Sequence, residues 1–191
     1  MPIRKVAKMG HPVLRRVAQS VDPEEIKGAA VQRLIADLLD TVDDYDGAGL
    51  AAPQVHASVR IVVLSLDPDA GMEVWINPVL TPTTTDQLQS FEGCLSIPGL
   101  RGLVTRAAAV HVEALDETGN PVSHDLEGFP AIVAQHECDH LDGVLYVDKM
   151  EERSLTFTEE HQRWGRLLWG PADSGEDEDA PDQSPAPPSE S

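Results

Sequence analysis

The sequence predicts an α+β fold, with antiparallel or mixed β-sheets packed around a central helix over residues 130–142. Helix patterns stand early and late in the chain, and strand and hairpin patterns fill the middle. This order differs from the repeated strand–helix–strand units that build parallel sheets. Pro130 suits the first turn of the central helix, and Gly143 suits its end.

Size and composition indicate an ordinary globular protein. The chain has 191 residues, of which 41% are hydrophobic and 25% are charged, and this length suits one domain. No apolar run is long enough to span a bilayer, and the N-terminal residues lack the apolar core of a signal peptide. We therefore expect a cytoplasmic protein without a membrane partner. The net charge of −19 argues against a direct nucleic-acid site, because phosphate binding requires clustered lysine and arginine.

The C-terminal segment over residues 170–191 differs from the rest of the chain. It contains seven acidic residues and no lysine or arginine, and it is rich in proline, serine and alanine. Such a segment buries too little apolar surface to offset the entropy lost on folding. We expect a folded domain over residues 1–169 and a disordered acidic tail over residues 170–191.

The first part of the chain is expected to form an extended arm over residues 1–22, followed by a long helix over residues 23–43. Asp22 suits the N-cap of this helix, and Pro23 suits its first position. Apolar residues then recur at helical spacing, so the helix is expected to pack on the core.

The middle of the chain is rich in strand patterns. Strands are predicted over residues 59–66 and 73–80, and a hairpin over residues 109–115 and 121–126. The polar, threonine-rich residues 81–91 are predicted to form a loop. A last amphipathic segment over residues 154–169 carries apolar side chains that we expect to dock on the domain: Leu155, Phe157, Trp164, Leu167, Leu168 and Trp169.

The central helix carries the residues with the clearest chemistry, Gln-His-Glu-Cys-Asp-His at 135–140. His136 and His140 are four residues apart, so both imidazoles lie on one face and can bind one metal ion. Glu137 lies beside them and can accept a proton from water, as in the H-E-x-x-H pattern. Cys138 is about 200° round the helix from His136, so we expect a small buried residue and not a ligand.

Two other stretches have more than one interpretation when each is taken alone. Cys94 follows a glycine and is either an inert buried cysteine or, in a reducing compartment, a metal ligand. Gln54 follows two glycines that suit a close backbone approach, and it could equally be an ordinary loop amide. A phosphate-binding loop is excluded there, because the stretch lacks a third glycine and a Lys-Ser/Thr pair.

Three motifs occur in order along the chain: Gly-x-Gly-Leu-Ala-Ala-x-Gln at 47–54, Glu-Gly-Cys-Leu-Ser at 92–96 and Gln-His-Glu-x-Asp-His at 135–140. Together they resemble the peptide deformylase family, whose members remove the N-formyl group from nascent bacterial polypeptides. The resemblance extends over about residues 5–165 and leaves out the acidic tail. One such motif alone is weak evidence of membership in the family, whereas three motifs in this order are highly specific to it.

The resemblance implies one divalent metal ion held by Cys94, His136 and His140, with a fourth position open for water. Glu137 would be the base that takes the proton of that water. Kinship with the family implies ferrous iron, although two imidazoles and a thiolate would bind zinc more tightly than iron. Iron is therefore expected in the working enzyme, with zinc as an alternative in the isolated protein.

The resemblance also implies roles around the substrate. The side-chain amide of Gln54 and the backbone N–H of Leu95 would stabilise the developing oxyanion. The backbone of Gly49 would hydrogen-bond the peptide main chain. Ile132 and Val133, one turn before the first histidine, would line the pocket for the methionine side chain.

The implied substrate is an N-formylmethionyl peptide, and the ribosome, where nascent chains emerge, is a candidate partner. A zinc peptidase is an alternative, but it needs a third ligand further along, and residues 141–149 offer no such histidine. A relative that uses its metal only as a structural staple is the other alternative. Such a protein should lose the base or an oxyanion donor, whereas Glu137, Gln54 and Leu95 are all present.

Overall fold

The structure is a computed structural model that describes residues 3–67 and 69–169. In chain order, its helices are α1 (Ala29–Asp44), α2 (Phe129–Leu141) and α3 (Thr158–Trp169). Its strands are β1 (Gly49–Ala51), β2 (Ile61–Asp67), β3 (Gly71–Pro82), β4 (Gln87–Cys94), β5 (Ile97–Ala107), β6 (Ala109–Leu115), β7 (Pro121–Glu127) and β8 (Thr156–Phe157). Short 3-10 turns cover Pro12–Arg15, Pro23–Glu25, Ala52–Val55 and Tyr146–Asp148. The tail predicted over residues 170–191 lies outside the described residues.

The strands form two antiparallel sheets, and the predicted α+β class is confirmed. One sheet has the order β1-β2-β3-β6-β7, and the other has the order β4-β5-β8. The strands predicted over 59–66 and 73–80 and the predicted hairpin are confirmed as β2, β3 and β6–β7, with ends within two residues. Within the described part of the chain, no helix has the length and apolar character needed to cross a membrane.

The five-stranded sheet is covered on both faces, which places α2 at the centre of the fold. Successive side chains of a strand point to opposite faces, so Ile61 and Val63 pack with α1 while Val62 and Leu64 pack with α2. The fully buried Trp75 of β3 lies in the same core as α2. Helix α2 also contacts β5 of the smaller sheet. The helix predicted to carry the chemistry is therefore held between the two sheets.

The helix predicted over residues 23–43 is wrong at its beginning. Asp22 caps only a short 3-10 turn, accepting a hydrogen bond from the backbone N–H of Glu24 at 3.0 Å. Gly28 then adopts an extended conformation (ψ 146°) and becomes the N-cap of α1. Glycine favours such a break because it has a low helix propensity. The rest of the helix is confirmed, with the apolar stripe of Leu34 and Leu38 buried.

The loop predicted over residues 81–91 is also wrong in part. Residues from Gln87 onward form β4, which pairs with β5 along most of its length. Its side chains alternate between exposed and half-buried positions, and Glu92 is its one fully buried residue. Polar residues such as Gln87 and Gln89 fit this strand because one face of the hairpin meets solvent.

The last helix is shorter than predicted, and most of the apolar side chains expected to dock stay exposed. Helix α3 begins at Thr158, and Gly165 is its one buried residue. Trp164 is 42% exposed and Leu167 is 79% exposed. The helix is attached at its inner side, where the rings of His161 and Trp169 lie 4.1 and 5.6 Å from that of Phe91 on β4.

Candidate active site

Three possible metal ligands converge from two elements of the fold. Cys94 is the last residue of β4, and His136 and His140 lie on α2. One ligand atom from each lies within 4.8 Å of the other two, and the Sγ of Cys94 is 3.4 Å from the Nε2 of His140. Among the described residues, no further cluster of His, Cys, Asp or Glu has this ligand geometry. A thiolate with two imidazoles fits a tetrahedral site with one position left open.

The two ends of α2 fix its position. Gly128, at φ 65°, precedes the helix and donates its N–H to the carbonyl of Ala108, and Pro130 lies in the first turn as predicted. Gly143 follows the helix at φ 73°, where a side chain would be strained. A Cβ atom at Gly143 would lie 2.8 Å from the backbone of Arg15, so the N-terminal arm packs directly on this turn. The predicted stop at this glycine is confirmed.

A buried carboxylate orients the first histidine. The Nδ1 of His136 lies 2.8 Å from the Oε2 of Glu92, which leaves the Nε2 of His136 for a metal. Arg106 donates two hydrogen bonds to the same carboxylate. Burial alone would raise the pKa of Glu92, but the hydrogen bonds from Arg106 and His136 lower it to about 2. Glu92 is therefore ionised throughout the physiological pH range.

The two histidines have opposite electrostatic surroundings. Burial would lower the pKa of His136, but its interactions with Cys94 and Glu92 raise that pKa well above the usual value. Burial, together with the nearby His136 and Arg106, lowers the pKa of His140 well below the usual value. Since a metal requires a neutral imidazole, His140 is already in the form that binds one.

Glu137 lies beside the ligands, with only 5% of its surface exposed. Burial raises its pKa to about 7, with His136 acting in the opposite direction. Its Oε2 is buried and has no hydrogen-bond partner among the described residues. Gly49 makes this arrangement possible, because a Cβ atom there would lie 2.7 Å from the Cγ and Oε1 of Glu137. The predicted close backbone approach of the 47–54 stretch is therefore an approach to Glu137.

The amide of Gln54 is held in one orientation. Its Oε1 accepts the backbone N–H of Ala51 at 2.8 Å, and its Nε2 donates to the Oγ of Ser96 at 3.2 Å. The same Nε2 lies 3.6 Å from the Sγ of Cys94, so the NH2 group faces the ligand cluster. Leu95 lies next to Cys94 in the turn between β4 and β5, and its carbonyl accepts a hydrogen bond from Lys8.

Ile132 and Val133 lie on α2 one turn before His136, and both are buried. Val133 packs in the core between α2 and the five-stranded sheet, and Ile132 belongs to none of the main core clusters. Cys138 is buried as predicted and lies outside the ligand group. Burial raises the pKa of its thiol far above the usual range, which makes it an unreactive residue.

The sequence interpretation assigned no role to three residues that the structure places around the ligands. Glu92 and Asp139 stand inside the quoted motifs, and Arg106 stands in β5. The one signal for Arg106 was an isolated arginine in an otherwise apolar and small-residue stretch. Its partners depend on how β5 and α2 pack, and no local sequence pattern predicts that packing.

Comparison with known proteins shows which family the chain resembles. The family model described as polypeptide deformylase matches residues 3–155. Peptide deformylase 1 of Prochlorococcus marinus is 45% identical over 175 residues, which cover 86% of this chain and 90% of that protein. A peptide deformylase of Leptospira biflexa is 39% identical over 180 residues, covering 88% of this chain and 99% of that protein.

Solved structures agree with these relatives. The peptide deformylase of Thermotoga maritima superposes with a TM-score of 0.74 at 34% identity, covering 79% of this chain and 99% of that one. A class I type b peptide deformylase of Acinetobacter baumannii, solved with Met-Ala-Ser bound, gives a TM-score of 0.73 at 33% identity. That match covers 78% of this chain and 99% of the other.

Proposed function

Because this chain belongs to the polypeptide deformylase family, we propose that Cys94, His136 and His140 bind its metal ion and that Glu137 is its catalytic base. Members of the family are metalloenzymes that remove the formyl group from an N-terminal formylmethionine, and this chain is a hydrolase of that kind. The assignment of the metal ligands and the base rests on one observation. Three ligand atoms converge within 4.8 Å, next to a buried glutamate whose Oε2 has no partner among the described residues.

A divalent metal held by Cys94, His136 and His140 would supply a Lewis acid, which would polarise the formyl carbonyl and make a water molecule more acidic. The proton of the attacking water passes to the carboxylate of Glu137, and the water oxygen forms a bond to the formyl carbon. The bond between that carbon and the amide nitrogen then breaks, and Glu137 returns the proton to the departing amine. The products are formate and a free N-terminus. A pKa of about 7 suits a group that must both accept and donate a proton near neutral pH.

The oxyanion that develops during this attack requires hydrogen-bond donors. We assign them to the Nε2 of Gln54 and the backbone N–H of Leu95. Two hydrogen bonds, with Ala51 and Ser96, fix the Gln54 amide before the substrate arrives. Losing one such preorganised donor typically costs about 2.7–4 kcal/mol of transition-state stabilisation.

The peptide itself would be bound by the backbone of Gly49 and by a pocket for the methionine side chain that includes Ile132 and Val133. Both side chains are apolar and lie one turn from His136. An apolar pocket of this kind discriminates by roughly 1–3 kcal/mol for a missing methylene group.

We propose ferrous iron as the working metal and zinc as an ion that the isolated protein can also bind. The proposal is tested by reconstituting the same apoprotein with each ion and exposing both samples to air. The iron form should lose activity, because ferrous iron can be oxidised in air. The zinc form should keep its activity in air, since zinc has no redox chemistry. Equal stability of the two forms would contradict iron dependence.

We further propose that residues 1–169 form the catalytic domain, that the protein acts in the cytoplasm and that it meets its substrates at the ribosome. The family match over residues 3–155 lies within the proposed domain and leaves out the acidic segment. The seven acids over residues 170–191 would be repelled by ribosomal RNA. Sedimentation with ribosomes at low and high salt tests this, because removal of the acidic segment should tighten binding at low salt only. If truncation leaves binding unchanged, the segment is a solubilising appendage.

The test of the proposed function is formate release from formyl-Met-Ala-Ser by protein purified without oxygen, with metal content measured on the same sample. The wild type should contain one metal ion and release formate. Cys94→Ala should lose both the metal and the activity. Cys138→Ala is the matched control and should keep both, because its thiol lies outside the ligand group. Loss of the metal from Cys138→Ala would overturn the ligand assignment.

A further inference from the structure

We propose that Arg106 is a positioning residue whose single guanidinium sets the relative placement of the three metal ligands. This inference rests on the proposed function and adds a residue to it. Arg106 lies on β5, contributes no ligand atom and is almost fully buried. Its side chain nevertheless connects the strand that carries Cys94 with the helix that carries both histidines.

The first connection runs through Glu92. Arg106 donates from Nη2 to the Oε2 of Glu92 at 2.8 Å, and its Nε donates to the other carboxylate oxygen. The same Oε2 lies 2.8 Å from the Nδ1 of His136. Glu92 stands two residues before Cys94 on β4, so one carboxylate fixes the end of that strand and the ring of the first histidine.

The second connection runs directly to α2. The Nη1 of Arg106 donates to the Oδ2 of Asp139 at 2.7 Å, and Asp139 immediately precedes His140. The other oxygen of Asp139 accepts a hydrogen bond from Lys149 at 2.7 Å. Each of the three ligands is therefore hydrogen-bonded to, or within two residues of, a carboxylate that Arg106 holds.

The chemistry of this position requires arginine. Its planar group presents several N–H donors in fixed directions, so it can bind one carboxylate with two bonds and reach a second with another. A lysine keeps the charge but has a single nitrogen, so it cannot bind both carboxylates with the same three hydrogen bonds. Burial would lower the pKa of Arg106, but Glu92 and Asp139 raise it, so the guanidinium stays charged.

We therefore expect a change at Arg106 to act on the metal site through Glu92 and Asp139. Without these hydrogen bonds, the end of β4 and helix α2 can shift relative to each other, which alters the distances between Cys94 and the histidines. Changes in groups that hold metal ligands typically weaken metal affinity by about 10- to 100-fold.

The experiment compares Arg106→Lys with Arg60→Lys. Arg60 is the matched control, because it also pairs with the end of α2, at 2.7 Å from Asp142, but that carboxylate is 56% exposed. Apoprotein is titrated with cobalt(II), which gives a dissociation constant and a visible spectrum sensitive to thiolate coordination and geometry. Arg106→Lys should bind cobalt about 10- to 100-fold more weakly, with a changed spectrum, and Arg60→Lys should match the wild type.

A lower melting temperature with unchanged cobalt affinity and spectrum would overturn the proposal, since Arg106 would then only stabilise the fold. If Arg106→Lys does not fold, Asp139→Asn tests the second connection alone. It should weaken cobalt binding in the same direction, and wild-type affinity and spectrum there would contradict the proposal. Failure of the proposed function would instead appear in the wild type, as a protein that binds no cobalt or releases no formate.

Discussion

Helices α2 and α3 have nearly the same length, 13 and 12 residues, yet they relate to the rest of the molecule in opposite ways. Helix α2 buries nine residues, including both histidines and Glu137, whereas α3 buries only Gly165. The apolar side chains of α2 face sheets on two sides. Those of α3 largely face solvent, although that helix is attached through Phe91.

An apolar pattern alone therefore does not decide whether a helix is buried. Helix stability in proteins comes mostly from tertiary packing, and packing needs a partner surface. Helix α2 has such surfaces in β1, β2 and β5. Helix α3 has the edge of the smaller sheet, where β8 pairs with Leu100 and Arg101. Burial of α2 also raises the pKa of Glu137 to about 7, which suits the role of base that we propose for it.

Gly49→Ala on β1 should strongly disturb the buried helix α2. The new methyl group would lie 2.7 Å from the Glu137 side chain, so the carboxylate must move. A displacement of about 1 Å at a catalytic group can cost roughly 100-fold in rate, and we expect a loss of this size with the metal retained. Gly93→Ala is the control, because the atoms nearest to its new Cβ would be 3.7 Å away. Its turnover should stay near that of the wild type. Normal turnover of Gly49→Ala would show that the site tolerates a moved Glu137.

A matched pair of leucines compares the two helices directly. Leu141 of α2 is 0% exposed and Leu168 of α3 is 69% exposed. Leu141→Ala should lower the free energy of unfolding by about 2–5 kcal/mol, because it removes buried methyl groups and leaves a cavity. Leu168→Ala should change it by less than about 0.5 kcal/mol. Urea unfolding measures both, and equal losses would mean that α3 packs on the domain in solution.

The smallest effect is expected beyond α3. Truncation after Gly170 changes the net charge from −19 to −12 and removes no residue assigned to the site. Turnover of a short formylated peptide should therefore stay at the wild-type value. A several-fold fall in turnover would place the acidic segment near the active site and contradict the proposed domain boundary.

Features of the site that depend on local geometry can be predicted from the sequence better than features that depend on long-range contacts. The spacing of His136 and His140 reflects helix geometry, so it predicts that both lie on one face of the helix. The order of the three motifs, through the family resemblance, then predicts Cys94 as the third ligand. The role of Arg106 depends on the pairing of β4 with β5 and on the packing of α2, which no local pattern reports. The sequence predicts the α+β class correctly, but it predicts a loop where β4 begins, because the exposed face of β4 is polar.

The same limit explains the two misjudged helices. Asp22 and Pro23 form a good helix start, and the signal is real, but Gly28 ends that turn before α1 begins. In α3, the pattern predicts the helix correctly, but only its inner side contacts the smaller sheet, so Leu167 and Leu168 stay exposed. Local propensity therefore predicts which segments are helical more reliably than it predicts what they contact.

The most direct test of the account is Glu137→Gln, with formate release and metal content measured on one anaerobic sample. The substitution keeps the size of the side chain but replaces the carboxylate with a neutral amide, which cannot accept a proton near neutral pH. We predict a metal content equal to that of the wild type and turnover lower by about 10²- to 10⁴-fold, the usual contribution of a general base. Full turnover would exclude Glu137 as the base, and loss of the metal would show that Glu137 is itself needed to bind it.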